Sequence, residues 1–316
     1  MKRRVLCASV AACVIAFAAS HAYAAGATCD RACLRTTIDA YLNAVIKHDP
    51  AAAPLMIGFR QTDNAIVVRV PNGVWRSITA LGPVQRRFLD PETGQAGFFG
   101  IVEESGVQSV ATLRLKVDGR KISEAEWIIG RKGEWGPNGP GGNLLNTESL
   151  IANPPPERTV PRAQRLSRES MAAIANTYFD GLSTHDGNII EHVEGCTRVE
   201  NGTVVTGRGG RNGGPPSGDC AANLANFNAS LVSARRYPIV DEEAGVVLGL
   251  AVFLRKPGSP VRRNMLSEWF FIDGAKIRTI YAAMFYPPSD QPVPNWPPYD
   301  GTWPLPASPA PPAANP

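Results

Sequence analysis

Two histidine–aspartate pairs, His48-Asp49 and His185-Asp186, stand at the same place in two stretches of the chain. An imidazole titrates near neutrality, so a histidine beside an acid is a candidate proton carrier. Each pair closes a helical pattern. Adjacent side chains there need not face each other, and the aspartate serves equally well as the cap of the next turn. His185 and Asp186 are kept as auxiliary candidates. The sharper candidates are Glu268 and Tyr281, found by overlaying two parts of the sequence.

The segments Thr36 to Arg131 and Ser170 to Tyr286 follow one script. Tyr41 precedes His48-Asp49 as Tyr178 precedes His185-Asp186, and Asp63 and Glu200 lie equally far beyond. Arg86-Arg87-Phe88 corresponds to Arg235-Arg236-Tyr237, each followed by an acidic turn and an apolar run. Both segments close on Asp-Gly-x-Lys-Ile, at Asp118 to Ile122 and Asp273 to Ile277. A repeat of about a hundred residues is a duplicated domain, not a solenoid unit.

Aligning the two Asp-Gly hairpins matches Leu113, Leu115 and Val117 with Glu268, Phe270 and Ile272. On the partner strand, Glu124, Glu126 and Ile128 match Thr279, Tyr281 and Ala283. The second copy therefore carries a carboxylate where its twin has leucine. A carboxylate in an apolar cavity has a raised pKa and moves protons near neutral pH. A phenol nearby can hydrogen-bond a developing enolate. The alternative is a Glu268 at a strand end in solvent, or paired with Arg262 or Arg263. Glu124 and Glu126 read as partners of Arg114 and Lys116 on the neighbouring strand. Trp75, Trp127 and Trp269 read as core.

The elements that must position these groups follow from periodicity. Residues 33–47 and 168–182 are amphipathic helices, with Ile38, Tyr41, Leu42 and Val45 on one face of the first. Asp49-Pro50 and Asp186-Gly187 open a short second helix. Strands are expected at Ala65 to Val70, Gly73 to Ile78, Ala96 to Glu103, Ser109 to Val117 and Ile122 to Arg131. The second copy repeats them at Val246 to Leu254, Arg263 to Ile272 and Ile277 to Tyr286. Helices followed by a long antiparallel sheet predict an α+β class. The boundaries are a first domain at 25–132, a linker at 133–165, a second domain at 166–287 and a Pro-rich tail at 288–316.

Lys2, Arg3 and Arg4, an apolar run from Val5 to Ala19 and Ala22-Tyr23-Ala24 form a secretory signal, residues 1–24. Its removal takes three basic residues from a formal charge of +4, leaving about +1, which is no argument for nucleic acid. No membrane span is expected after cleavage, and the expected compartment is secreted or periplasmic. Four cysteines remain, and an even number in an exported chain reads as two disulfides, Cys29–Cys33 and Cys196–Cys220. The second would clip a Gly-rich excursion, Asn201 to Asp219, that the first copy lacks. Paired Cys-x-x-Cys knuckles are missing, so no metal is expected. Nucleophile elbow, dinucleotide fingerprint and zincin motif are missing too, and Gly207 to Gly214 has no Lys-Ser/Thr after it, so no cofactor is expected.

A helix with a tyrosine, an aspartate turn and a sheet ending in Asp-Gly-x-Lys-Ile resembles the nuclear-transport-factor-2-like superfamily, which includes ketosteroid isomerase and the SnoaL-like cyclases. Cys29-Asp-Arg-Ala-Cys33, Asp90-Pro-Glu-Thr-Gly-Gln95 and Arg114-Leu-Lys-Val117 narrow the resemblance to secreted SnoaL-like proteins. It implies two tandem cones, each a curved sheet wrapped on its N-terminal helices. It also implies that the two copies pair through their sheets, making the chain a pseudo-dimeric monomer. The expected function is an isomerase- or lyase-type enzyme without cofactor, acting on a small apolar, carbonyl-bearing ligand. Glu268 would be the base and Tyr281 the hydrogen-bond donor. The alternative is a non-catalytic module that binds a small molecule or an envelope partner, since this superfamily hosts both.

Overall fold

In the computed structural model the described residues are 29–287, apart from 207–208, 211–213, 217, 223, 228 and 257; at 209–210, 214–216 and 226 only the backbone is described. The segment 1–24, expected to be a signal, and the tail 288–316, with Trp296, Tyr299 and Trp303, lie outside them.

The first repeat runs α1 (Arg31–Ile46), β1 (Leu55–Asp63), β2 (Ile66–Val67), α2 (Val74–Ser77), β3 (Ile78–Asp90), β4 (Gln95–Glu104), β5 (Val107–Asp118) and β6 (Lys121–Gly130). A connecting segment carries α3 (Thr147–Ala152). The second repeat runs α4 (Arg168–Thr184), β7 (His192–Glu200), β8 (Thr203–Val204), a ribbon of β9 (Gly209–Gly210) and β10 (Gly214–Pro216), then β11 (Leu231–Asp241), β12 (Val246–Leu254), β13 (Asn264–Asp273) and β14 (Lys276–Phe285).

The long helices start alike. The Asp30 side chain accepts the Cys33 amide at 2.8 Å, and Ser167 accepts that of Ser170 at 3.3 Å. Such caps satisfy amides that a first helical turn leaves open. The six-stranded sheets also share a plan, in the orders β2-β1-β6-β5-β4-β3 and β8-β7-β14-β13-β12-β11. In each the first strand runs parallel to the last, and the other pairings are antiparallel. The Asp-Gly turns join β5 to β6 and β13 to β14, as expected.

The expectation of an α+β cone is overturned. Among the described residues the fold is mostly β: twelve strands in two six-stranded sheets and the β9–β10 ribbon, with a single long helix laid on each large sheet. The short second helices shrink to single 3-10 turns at Pro50–Ala52 and Gly187–Ile189, too short to bury a face. The nine-residue β1 escaped notice because its pattern is broken by exposed residues and by Gly58 at positive φ. Gly73 to Ile78 forms α2 instead of a strand, and Ala65 to Val70 contributes only the two residues of β2.

Three cores result. One lies between α1 and the first sheet, and another between α4 and the second. The third lies between the sheets themselves, where Phe88, Phe99 and Ile128 meet Trp269, Phe271 and Tyr281. The Phe88 and Trp269 rings are 4.5 Å apart, and the Trp269 indole donates to Thr112 Oγ1 at 3.0 Å. Gly97 permits this approach, since a Cβ there would sit 2.4 Å from the Trp269 ring. Burying such aromatic faces supplies about 1.5–3 kcal/mol per side chain, so the seam holds the repeats together as one body.

Candidate functional site

The face of each sheet under its helix is built from matching positions that carry different chemistry. In the first repeat β4, β5 and β6 place Phe98, Leu113 and Trp127 side by side, all fully buried. Tyr41 of α1 donates to Gln61 Oε1 at 2.9 Å, and Trp75 of α2 donates to the same oxygen at 2.7 Å. The Trp127 indole donates to the Tyr41 hydroxyl at 3.2 Å. Large rings and neutral hydrogen bonds fill this face.

In the second repeat the same cross-strand row reads Gly249, Glu268 and Ala282. Rings of Phe179 and Phe270 close over Gly249, where a Cβ would meet them at 3.0 and 2.8 Å. Tyr178 replaces Tyr41 on the buried face of α4, and Arg198 of β7 stands where the first repeat has Gln61. Arg198 Nη1 donates to the Tyr178 hydroxyl at 3.1 Å. Glu200 Oε1 lies 3.8 Å from Arg198 Nε, an ion pair without a hydrogen bond.

Glu268 is 3 % exposed, and its Oε2 has no hydrogen-bond partner among the described residues. Burial raises its pKa well above the ordinary carboxylate value; the Glu200 charge adds to the rise and Arg198 partly offsets it. Tyr178 is also raised, mainly by burial, so its phenol keeps its proton. Arg198 stays cationic, because the opposing effects of Tyr178, Glu200 and Glu268 outweigh its burial. The Tyr178 oxygen accepts from Arg198, which leaves its own O–H to donate elsewhere. The cluster thus combines a buried acid, a phenol donor and a fixed cation.

Tyr281 is not part of it. Residues directly opposite in an antiparallel pair share a face, and Glu268 stands opposite Ala282 while Tyr281 stands opposite Trp269. Tyr281 therefore points into the seam between the sheets, where its hydroxyl lies 3.2 and 3.1 Å from the Asn153 and Pro154 carbonyls. Glu268 pairs with neither Arg262 nor Arg263 and is no strand end in solvent.

His185 and Asp186 hold structure. His185 caps α4 at φ 61°, and its Nδ1 donates to the Leu224 carbonyl at 3.1 Å. His48, at φ 55°, binds the Trp75 carbonyl in the same way at 2.7 Å. Asp186 and Asp49 accept the amides of Asn188 and Ala51, two residues on. His185 and Asp186 do line an open cavity of about 730 Å3 with His192 and Asp219, where His192 Nε2 is 3.0 Å from Asp219 Oδ2. Arg114 donates to Glu126 at 2.7 Å and to Glu124 at 2.5 Å, as cross-strand spacing implied, but Lys116 pairs with Asp118 at 3.4 Å instead, and Glu126 is buried, not on a solvent side.

Both disulfides are present, Cys29–Cys33 and Cys196–Cys220. They fit an oxidising compartment. Among the described residues no helix is long and apolar enough to cross a membrane. Arg198 and Tyr178 were missed as site residues. The overlay that found Glu268 contained them, since Gln61 and Arg198 both follow their tyrosines by the same interval.

Residues 164–284, the span from just before α4 into β14, match a family model described as a domain of unknown function, DUF8021. No curated protein matches the chain.

Proposed function

We propose that the second repeat carries out cofactor-independent proton transfer, of the isomerase or lyase type, on a small apolar ligand bearing a carbonyl. One observation carries this: the row Phe98–Leu113–Trp127 of the first repeat becomes Gly249–Glu268–Ala282 in the second, beside Arg198 and Tyr178. Two large apolar side chains are lost and an acid is gained at a buried position. Burying a carboxyl without a full set of partners is costly, and a fold retains such a group where it is used.

In this mechanism Glu268 removes a proton from the carbon next to the carbonyl and returns it to a different carbon. Its raised pKa brings basicity toward the working pH. The Tyr178 hydroxyl, polarised by Arg198, donates to the oxygen on which enolate charge develops. Burial strengthens that hydrogen bond. The first repeat, filled by Trp75 and Trp127, acts as the packing partner.

The test is deuterium uptake from D2O into 2-tetralone, an apolar enolisable ketone, followed by mass spectrometry. The intact protein accelerates uptake, and Glu268→Gln lowers the acceleration at least 100-fold. Binding without acceleration would make the second repeat a binding module instead.

A further inference from the structure

A second site lies at the seam, remote from Glu268. An open cleft of about 480 Å3 is lined by Arg31 and Arg35 of α1, Arg86 and Arg87 of β3, and Arg158 of the connecting segment. Glu157 is the one acidic residue in its lining.

Three of the arginines are held from the sides by carboxylates outside the cleft lining. Arg31 is held by Asp241 and Glu243, and Arg35 and Arg87 share Asp39. Arg86 and Arg158 are not matched in this way. The Arg86 side chain is largely buried; it donates to the Pro155 and Gln85 carbonyls, and its carboxylate partner is Glu157, at 2.9 Å. Arg158 donates to the carbonyls of Ala244, Gly245 and Ile272, and its nearest carboxylate, Asp273, is 3.9 Å away. Carbonyl dipoles orient a guanidinium but do not cancel its charge. Burial holds Arg158 below the ordinary arginine range; Asp273 offsets this in part, and Arg278 adds to it.

Glu157 is 76 % exposed at its side chain. An exposed ion pair is worth about 0–1 kcal/mol, so an incoming anion displaces it at little cost. Guanidinium forks match carboxylate, phosphate and sulfate oxygens, two bonds at a time.

We propose that this cleft binds a small dianionic ligand, which displaces Glu157 from Arg86 and engages Arg158 with its second acidic group. Glu157 stands in for one acidic group of that ligand when the cleft is free.

The test is titration calorimetry of the full chain at low salt, with pyrophosphate and with citrate as probes. At least one probe binds with 1:1 stoichiometry. Glu157→Gln, a change at an exposed side chain, tightens that binding at least fivefold. Arg158→Gln weakens it at least tenfold while circular dichroism stays unchanged. Citrate alone binding assigns a carboxylate ligand, and pyrophosphate alone a phosphate or sulfate one. Absence of saturable binding in both the natural chain and Glu157→Gln overturns the proposal. So does a Glu157→Gln chain whose affinity is unaltered.

Discussion

Asp90 and Asp241 occupy the same position in the two repeats, and each is bound by the helix of the other. Asp90 takes a two-point bond from Arg168 at the start of α4, at 2.9 and 2.6 Å, and accepts the Val240 amide at 3.0 Å. Asp241 takes a two-point bond from Arg31 at the start of α1, at 2.8 and 3.0 Å, and accepts the Leu89 amide at 2.7 Å. Both aspartates are 1 % exposed. The clasps are reciprocal, as in a symmetric dimer, but one chain supplies both halves.

Breaking the Asp90 clasp strands the Arg168 guanidinium at the seam, whereas Arg31 keeps Glu243 when Asp241 is changed. Asp90→Asn lowers the unfolding free energy by about 3 kcal/mol, within the range for removing one partner of a buried pair, and Asp241→Asn by less, because Arg31 is partly exposed and keeps Glu243. Urea denaturation checks this. Losses under about 1 kcal/mol would mean the clasps are ornamental.

Because the chain satisfies its own sheet pairing, a monomer is the state expected in solution. Light scattering across a concentration series returns the mass of one chain throughout. A stable dimer would contradict this use of the seam.

The duplication was legible because Asp-Gly-x-Lys-Ile and the tyrosine-to-aspartate interval are rigid local signals. The long helices and the β4 to β6 hairpins followed from clean periodicity. The share of helix was not legible, because an aspartate turn looks the same whether one 3-10 turn or a full helix follows it. Comparison with Leu113 singles out Glu268, but not its neighbours in the fold. Matching Tyr281 to Glu126 was right as an overlay; both face the seam, where Glu126 meets Arg236. A register shift between Phe271 and Ile272, which the sequence does not show, places Ala282 and not Tyr281 opposite Glu268. Arg198 arrives from β7 through a parallel pairing with β14, a contact with no local signature.

Glu268 also sets a pH dependence. Its carboxyl binds a proton more tightly when folded than when unfolded. Stability from this group is complete below the unfolded value of about 4.5 and is lost as pH rises toward the raised folded value. Glu268→Gln therefore melts at a higher temperature than the natural chain at neutral and alkaline pH. Near pH 4 the two melt together. Melting curves from pH 4 to 9 check the sign; a variant less stable at pH 8 would reverse it.

Trp127 and Ala282 swap the roles of the repeats. Trp127→Ala opens a void in the first repeat and costs about 3–5 kcal/mol, with ketone exchange unchanged. Ala282→Trp, checked by circular dichroism for retained fold, blocks exchange by filling the face beside Glu268. Exchange lost in Trp127→Ala but kept in Ala282→Trp would place the chemistry in the wrong repeat.

The Cys196–Cys220 bridge spans 24 residues and anchors the chain just before Leu224, whose carbonyl accepts from His185. A loop of that length is worth about 3 kcal/mol in the chain-entropy account. Replacing both cysteines with serine lowers stability by about that amount in urea melts. A change under about 1 kcal/mol would show that the excursion is held by other contacts.

The most direct measurement needs no substrate. Carbon-13 labelling of the glutamate carboxyls, followed by NMR across a pH titration, shows whether one of them stays protonated while the rest ionise. Glu134, which burial raises to about 7, gives one late-ionising resonance; a second, absent from Glu268→Gln, is the result expected of a buried acid poised for proton transfer. If Glu268→Gln removes only a signal that ionises near 4.5, the second repeat has no such acid and the proposed chemistry fails.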